Sequence, residues 1–365
     1  MKISDVEKIT GLTAKSIRFY EDKGLVRVLK KENAYREYDE DSVERLKKIK
    51  FFREIGISVS ELKLYFNHVI SAEEMINKRR REIEAENVTS KKQYQDCMEL
   101  LNTIAGSEEQ HERTDAYPII MNHEKVAIGI DIGTTTISAA VVGLERKRVI
   151  ETYTMLGESD LSVAEPDFHE QNVDKIMDKL MRIAEFLTSS YPCTVSIGLT
   201  GQMHGVVCVD SNGRAVSSLY TWQDERADRR MNGKATYCEH LEALTGKRMN
   251  SGLGFATLYY NRKQGLLPPD AVTFCTIMDY AGMVLTGRTR PLMHVSNAAS
   301  LGFFDISRGE FDQESIRKRV IRSILRAERL QYPHFFAERA RTLGCAAESM
   351  ELTRRISHRR IWRLG

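Results

Sequence analysis

No apolar run in the chain approaches the length that crosses a bilayer, and the polar start from Met1 to Gly11 lacks the apolar stretch of a signal peptide. Both absences argue against a membrane protein and lead to an expected cytoplasmic location. Cysteine is sparse. Cys97, Cys193, Cys208, Cys238, Cys275 and Cys345 include no C-x-x-C pair, so reduced thiols are expected, with neither disulfides nor a metal. Excess charge is lacking too: a net +3 over 365 residues does not imply nucleic-acid binding, and only local clustering of charge could. The length exceeds one ordinary domain and allows two or three folding units.

Charge clusters at the N-terminus. Ser4 followed by Glu7 predicts a capping box, and Ile3, Val6 and Ile9 mark one face of a short helix that stops at Gly11. Thr13 is placed to cap a second helix. Its apolar side is Leu12, Ile17 and Leu25, leaving Lys15, Ser16, Arg18 and Tyr20 expected to face outward. Two short helices joined by a tight turn are the geometry that sets the second helix in a major groove. The stretch Lys23 to Arg36 then carries Lys23, Arg27, Lys30, Lys31 and Arg36 over strand and turn residues, which reads as a basic wing lying on phosphates.

The run Ser16-Ile17-Arg18-Phe19-Tyr20-Glu21-Asp22-Lys23-Gly24-Leu25, the later Tyr35-Arg36-Glu37-Tyr38, and Phe52-Arg53-Glu54-Ile55-Gly56-Ile57-Ser58 resemble, in order, the signatures of the MerR family of transcriptional regulators. The resemblance implies an all-α winged helix-turn-helix over residues 1–70 that binds double-stranded promoter DNA as a homodimer, with RNA polymerase as a further partner. By the same resemblance Arg18 and Tyr20 would hold backbone phosphates, Thr13, Lys15 and Ser16 would face base edges, and Tyr35 and Arg36 would grip the flanking backbone. Ala34 stands where the family usually has glycine before the wing tyrosine.

Residues 71–105 contain no Gly or Pro, and Ile76, Ile83, Tyr94, Cys97, Leu101 and Ile104 fit one heptad seam, interrupted by Arg80, Asn87 and Ser90. A long dimerisation helix is expected there, in preference to a helix packed on its own chain. Residues 106–124 are polar and read as a linker.

Over 125–312 the character changes to α/β. Val126 to Asp131 is a buried-strand pattern, and Gly133, Thr134 and Thr135 turn the chain into the next strand. Such a tip offers N–H and hydroxyl donors to phosphate, and Asp131 beside it suits Mg²⁺ held through water, although an ordinary turn would look the same. The stretches Asp131-Ile132-Gly133-Thr134-Thr135, Glu170-Gln171-Asn172, Gly198-Leu199-Thr200-Gly201-Gln202-Met203-His204-Gly205, Thr221-Trp222-Gln223-Asp224-Glu225-Arg226 and Ser296-Asn297-Ala298-Ala299 resemble the first lobe of FGGY carbohydrate kinases. That resemblance implies an actin-like, ribonuclease-H-like lobe. It also implies a sugar pocket lined by Met203, His204, Trp222, Asp224 and Arg226, with carboxylate and imidazole bonding to hydroxyls and the indole packed on the sugar.

In that family ATP and Mg²⁺ lie between two lobes, and the catalytic base belongs to a Gly-Asp motif beyond the first. No Gly-Asp-Asn or Gly-Asp-Gln follows Asp312, so no catalytic residue is assigned, and ATP and Mg²⁺ are expected only if the cleft were complete. From Arg317 to Gly365 there are twelve Arg, one Lys and no Asp. A basic tail over 313–365, out of frame from near Ile316, is the expectation, with a basic helix touching DNA or RNA as its competitor. The sequence therefore reads as a multidomain, sugar-responsive transcriptional regulator. The alternatives are an incomplete kinase for a ketose such as xylulose or sedoheptulose, and an inert remnant.

Overall fold

The computed structural model describes residues 1–27, 29–30, 36–85, 96–100 and 123–316. They fall into two compact units. One holds the described residues up to Val126 together with Ala139–Leu156 and Arg182–Thr194, the other Ala127–Ser138, Gly157–Met181 and the described residues from Val195 onward.

In the first unit α1 (Ile3–Thr10) stops where Gly11 takes a φ of 67° and its N–H meets the Glu7 carbonyl at 2.8 Å. That left-handed conformation suits glycine. Thr13 then caps α2 (Ala14–Asp22), its Oγ1 accepting the Ser16 N–H at 3.2 Å. The box expected at Ser4 does not form, because α1 already begins at Ile3. Asp5 accepts the Lys2 N–H at 3.3 Å, while Glu7 accepts the Ala14 N–H of the following helix at 2.5 Å. The antiparallel pair β1 (Leu29–Lys30) and β2 (Arg36–Glu37) sets Lys30 opposite Arg36. The helices α3 (Glu40–Glu54), α4 (Val59–Phe66) and α5 (Ala72–Ala85) follow. Val6, Ile17, Leu46, Ile49, Ile57 and Leu62 have no exposed surface and make a core in which α1 packs on α2 and on α3.

The seam expected to face a second chain is already covered in part. Ile76 and Cys97 are fully buried and Ile83 nearly so within a single chain, and both α4 and α5 pack on the strand Arg148–Leu156 of the same unit. That strand lies far along the chain, so the sequence around the helix offers no apolar partner for it. Tyr94, Leu101, Ile104, Asn87 and Ser90 lie outside the described residues, as do residues 106–122 of the linker and residues 317–365 of the tail.

The α/β part is built on β3 (Val126–Ile132), β4 (Thr136–Gly143), β5 (Arg148–Leu156), the short β6 (Glu170–Gln171) and β7 (Thr194–Gly201); four of these form a sheet of order β5-β4-β3-β7. Strict alternation on β4 buries Ile137, Ala139 and Val141. Between β6 and β7, α6 (Val173–Ser190) buries Ile176, Leu180, Ile183 and Leu187, which the helical repeat places on one stripe. In the second unit β8 (Val207–Val209), β9 (Leu219–Tyr220), α7 (Tyr237–Thr245), α8 (Gly254–Gln264), β10 (Thr273–Cys275), α9 (Ile277–Leu285) and α10 (Val295–Ser300) follow. β6 pairs with β9, Glu170 opposite Tyr220, and β8 pairs with β10. Phe255 sits among Phe274, Phe303 and Phe311 with ring centroids 5.1, 5.4 and 5.5 Å away, all edge-on. This cluster anchors α8 beside the loops that carry the site.

Candidate functional site

On α2, Thr13, Lys15 and Arg18 are exposed and Ser16 is half-buried. Tyr20 is not outward as expected. Its ring is 8% exposed while the neighbouring Phe19 is 44% exposed, with the Lys23 ammonium 5.9 Å from the Phe19 centroid. The inward stripe of α2 repeats at three residues, so Ile17 carries Tyr20 with it into the core. Thr13 and Ser16 also bond each other through their hydroxyls at 2.9 Å. Tyr35 lies outside the described residues, and Arg36 is placed only through its backbone in β2.

In the second unit the β3–β4 tip is closed by the Gly133 N–H donating to the Thr136 carbonyl at 2.9 Å, and by the Gly157 N–H donating to the Thr135 carbonyl at 2.7 Å. A Cβ at Gly133 would stand 2.9 Å from the Thr136 carbonyl oxygen, so the tip has room for nothing larger than glycine there. Asp131 and Thr135 are exposed beside it. Thr134 is tied down on three sides. Its carbonyl accepts from Gln171 Nε2 at 2.7 Å, its hydroxyl donates to Gln202 Oε1 at 3.4 Å, and it accepts the Trp222 indole N–H at 3.0 Å. Gln202 Nε2 in turn donates to Gln171 Oε1 at 2.8 Å, and Gln171 Nε2 also reaches Asp160 at 2.8 Å. Gln171 and Gln202 stand within the sequence motifs, yet nothing in their spacing shows that they buttress the tip.

Met203 and His204 follow β7. Met203 is 45% exposed, and His204 takes a φ of 69°, rare for a residue with a side chain. Two contacts to Ser300 hold it: its N–H donates to the hydroxyl at 3.2 Å and its Nδ1 to the carbonyl at 2.6 Å. A ring that donates through Nδ1 keeps Nε2 as its acceptor in the neutral form, but neither Met203 nor His204 is among the residues that line the cavity beside Trp222.

Trp222 is half exposed and stands on the wall of a cavity of about 670 Å³. The cavity is lined as well by His169, Gln223, Asp224, Glu225, Asp228, Thr236, Cys238, Glu239, Glu242, Met249, Asn250 and Ser251. Backbone crowding sets the wall: Gly252, at φ 82°, passes so close that a Cβ there would be 2.1 Å from the Trp222 carbonyl oxygen. Burial pushes the Cys238 thiol up to about 12, with Asp228 adding to the shift, so this cysteine is no nucleophile at neutral pH.

Asp224 lines the cavity as expected and Arg226 does not, and both are bonded within the fold. Asp224 has no exposed surface, and both its oxygens are used internally: the Arg226 N–H and Nε reach Oδ1 at 3.3 and 2.7 Å, and the His169 N–H and Arg226 Nη2 reach Oδ2 at 3.0 and 2.8 Å. Those four donors fill the acceptor capacity of a carboxylate. Arg226, 2% exposed, does not line the cavity; it also donates to Asn261 Oδ1 at 2.8 Å and Glu170 Oε1 at 2.6 Å. Its guanidinium lies 4.0 Å from the Phe168 ring centroid and 4.7 Å from that of Tyr220. Burial acts to lower the Arg226 pKa, but the Asp224 and Glu170 carboxylates outweigh it and hold the pKa above its ordinary value. The pair therefore braces the loop that carries Trp222. Glu170, Asn261, Met249, Asn250 and Ser251 went unassigned in the sequence reading, since only the folded chain brings them together.

Residues 126–323 match the N-terminal domain of the FGGY family of carbohydrate kinases. The chain belongs to that family. Its residues 1–69 match the MerR HTH family regulatory proteins, so a MerR-type region is fused to an FGGY lobe. The FGGY part is 31% identical over 227 residues to sedoheptulokinase of Mus musculus, covering 54% of this chain and 46% of that protein. The MerR-type part is 48% identical over 62 residues to the HTH-type transcriptional regulator CueR of Escherichia coli O157:H7, covering 17% of this chain and 46% of that protein. Among solved structures, ligand-bound xylulose kinase from Lactobacillus acidophilus aligns with a TM-score of 0.46 at 20% identity, covering 55% of this chain and 41% of that one. The chain spans about half the length of the curated relatives it matches. Among the described residues no helix is long and apolar enough to cross a membrane.

Proposed function

We propose that this protein is a sugar-responsive transcriptional regulator, in which the MerR-type region is a winged helix-turn-helix that reads promoter DNA and the FGGY lobe senses a small sugar. The observation that carries the reading is the joint presence, in one chain, of α2 with Lys15 and Arg18 exposed and of a sugar-sized cavity walled by Trp222. Lys15 and Ser16 face base edges, Arg18 neutralises phosphate, and the strands around Lys30 and Arg36 form the wing. A second copy, paired through the helix that begins at Ala72, supplies the other half-site, and RNA polymerase is the machinery acted upon. Domain limits of 1–70, 71–105, 106–124, 125–312 and 313–365 accompany this reading.

The sugar stacks on Trp222, while Asp224 and Arg226 hold the wall in place. A ligand shifts operator occupancy only if it binds the two states unequally. The tip also fits a nucleotide phosphate and its metal. Thr135 would hold the phosphate at the turn that Gly133 shapes, and Asp131 would hold Mg²⁺ through water, the metal supplying charge neutralisation.

The test is a mobility-shift assay on the DNA upstream of the gene, at two salt concentrations, with xylulose, ribulose or sedoheptulose added. Retardation that weakens with salt and changes with one of these sugars is expected. No retardation in dilute salt defeats the regulator. Consumption of ATP in the presence of one of the ketoses would favour a kinase.

A further inference from the structure

The edge strand β5 carries a group that the sensing scheme leaves unused. Glu151 accepts the Lys63 ammonium, which comes from α4, and the hydroxyls of Tyr153 and Tyr191, the latter at 3.2 Å. The Lys63 side chain is 17% exposed and that of Glu151 22%. Surface ion pairs between lysine and glutamate are usually well solvated and nearly neutral in energy; this one is mostly withdrawn from water and has two further donors on the carboxylate. Tyr153, 3% exposed, is itself fixed edge-on against Phe186 with centroids 5.5 Å apart. Burial acts to raise the Glu151 pKa, but Lys63 and Tyr153 outweigh it and hold the carboxyl below its usual range. Both α4 and α5 pack on β5, and all these residues belong to one compact unit. Among the described residues β5 is the terminal strand of the sheet, and α4 and α5, the helices that follow the proposed DNA-reading helix, pack on it.

We propose that the terminal strand β5 is an intramolecular dock for α4 and α5, the helices that follow the proposed DNA-reading helix, with Glu151 as the receptor of Lys63, and that this contact is how the FGGY lobe acts on the reader. The dock stands on the geometry alone; its use in signalling rests on the function proposed above. Breaking the pair strands a charge in a confined place, whereas exchanging the two charges restores it.

The experiment compares the full chain with K63E, E151K and the K63E/E151K exchange by hydrogen–deuterium exchange. Each single reversal should speed amide exchange in Val59–Phe66 and Arg148–Leu156 about tenfold, leave Ile3–Thr10 unchanged, and be largely reversed in the double variant. Equal exchange in all four proteins, or a double variant no better protected than the singles, overturns the dock. In parallel, E151K should still retard operator DNA and still show quenching of Trp222 by sugar, but lose the sugar effect on DNA affinity. A full sugar effect in E151K with α4 loosened overturns the signalling role. Restored protection in the exchange variant, in a protein that never responds to sugar, supports the dock and counts against the sensor.

Discussion

The Trp222 indole N–H donates to the Thr134 hydroxyl across 3.0 Å, so the wall of the cavity and the turn expected to hold phosphate are joined by one hydrogen bond. A change at either end is felt at the other. Trp222→Phe keeps an aromatic face and loses that bond, and Thr134→Val loses it from the opposite side. Each should weaken sugar binding by about two- to tenfold, the range of a single neutral hydrogen bond. The double variant should be no worse than either single one, as calorimetric titration would measure. Additive losses would separate the two residues.

Arg18→Ala should weaken operator binding by about tenfold on every sequence tried, reduce the salt slope by about one, and leave the subunit assembly untouched. Fluorescence anisotropy at several salt concentrations reads both quantities. An unchanged slope would remove Arg18 from the phosphate contacts. Phe19→Ala, by contrast, removes an exposed ring whose neighbour Tyr20 remains in the core, and a small effect on folding is expected.

The first two helices and the Gly-Thr-Thr tip were legible because each depends on residues adjacent in the chain: Gly11 ends a helix, Thr13 starts one, and Gly133 admits a turn that a Cβ would block. Tyr20 was misjudged because a phenol fits both an outward and an inward position, and only the burial of Ile17 three residues earlier decides between them. The internal bonding of Asp224 was hidden for a different reason. Its motif names a carboxylate, but Glu170 and Asn261, which with it saturate Arg226, stand at distant positions. The coverage of Ile76 and Ile83 was equally hidden, since α5 meets a strand some seventy residues on.

Arg226→Ala strands two carboxylates in a closed site. A loss of about 3–5 kcal/mol is expected, enough to lower the melting temperature of the FGGY lobe by many degrees. Arg226→Lys should fall between the variant and the native protein, because an ammonium cannot reproduce the planar fork. Calorimetry tests both, and a wild-type melt for the alanine variant would dismiss the bracing role.

Glu61 caps α4 through Ser58 and is bonded to Lys78 at 2.6 Å. Burial pushes its pKa up, yet Lys78 and Ser58 prevail and it lies below its ordinary 4.5. A carboxyl with a depressed folded-state pKa adds stability above the unfolded value, and that stability is lost as pH falls through the folded one. Glu61→Gln should therefore cost about 1–3 kcal/mol near neutrality, with the gap to wild type closing below pH 4.5, as paired urea titrations would show. A gap constant with pH would contradict the ion pair.

The knot around Arg226 sets two carboxylates, Asp224 and Glu170, against a single guanidinium. Facing the adjoining recess are Glu225, Asp228, Glu239 and Glu242, and among the described residues no lysine or arginine lines it. Any molecule that approaches Trp222 by this route crosses a negative potential. Uncharged polyols would cross it without penalty, whereas a phosphate ester would be repelled on the way in.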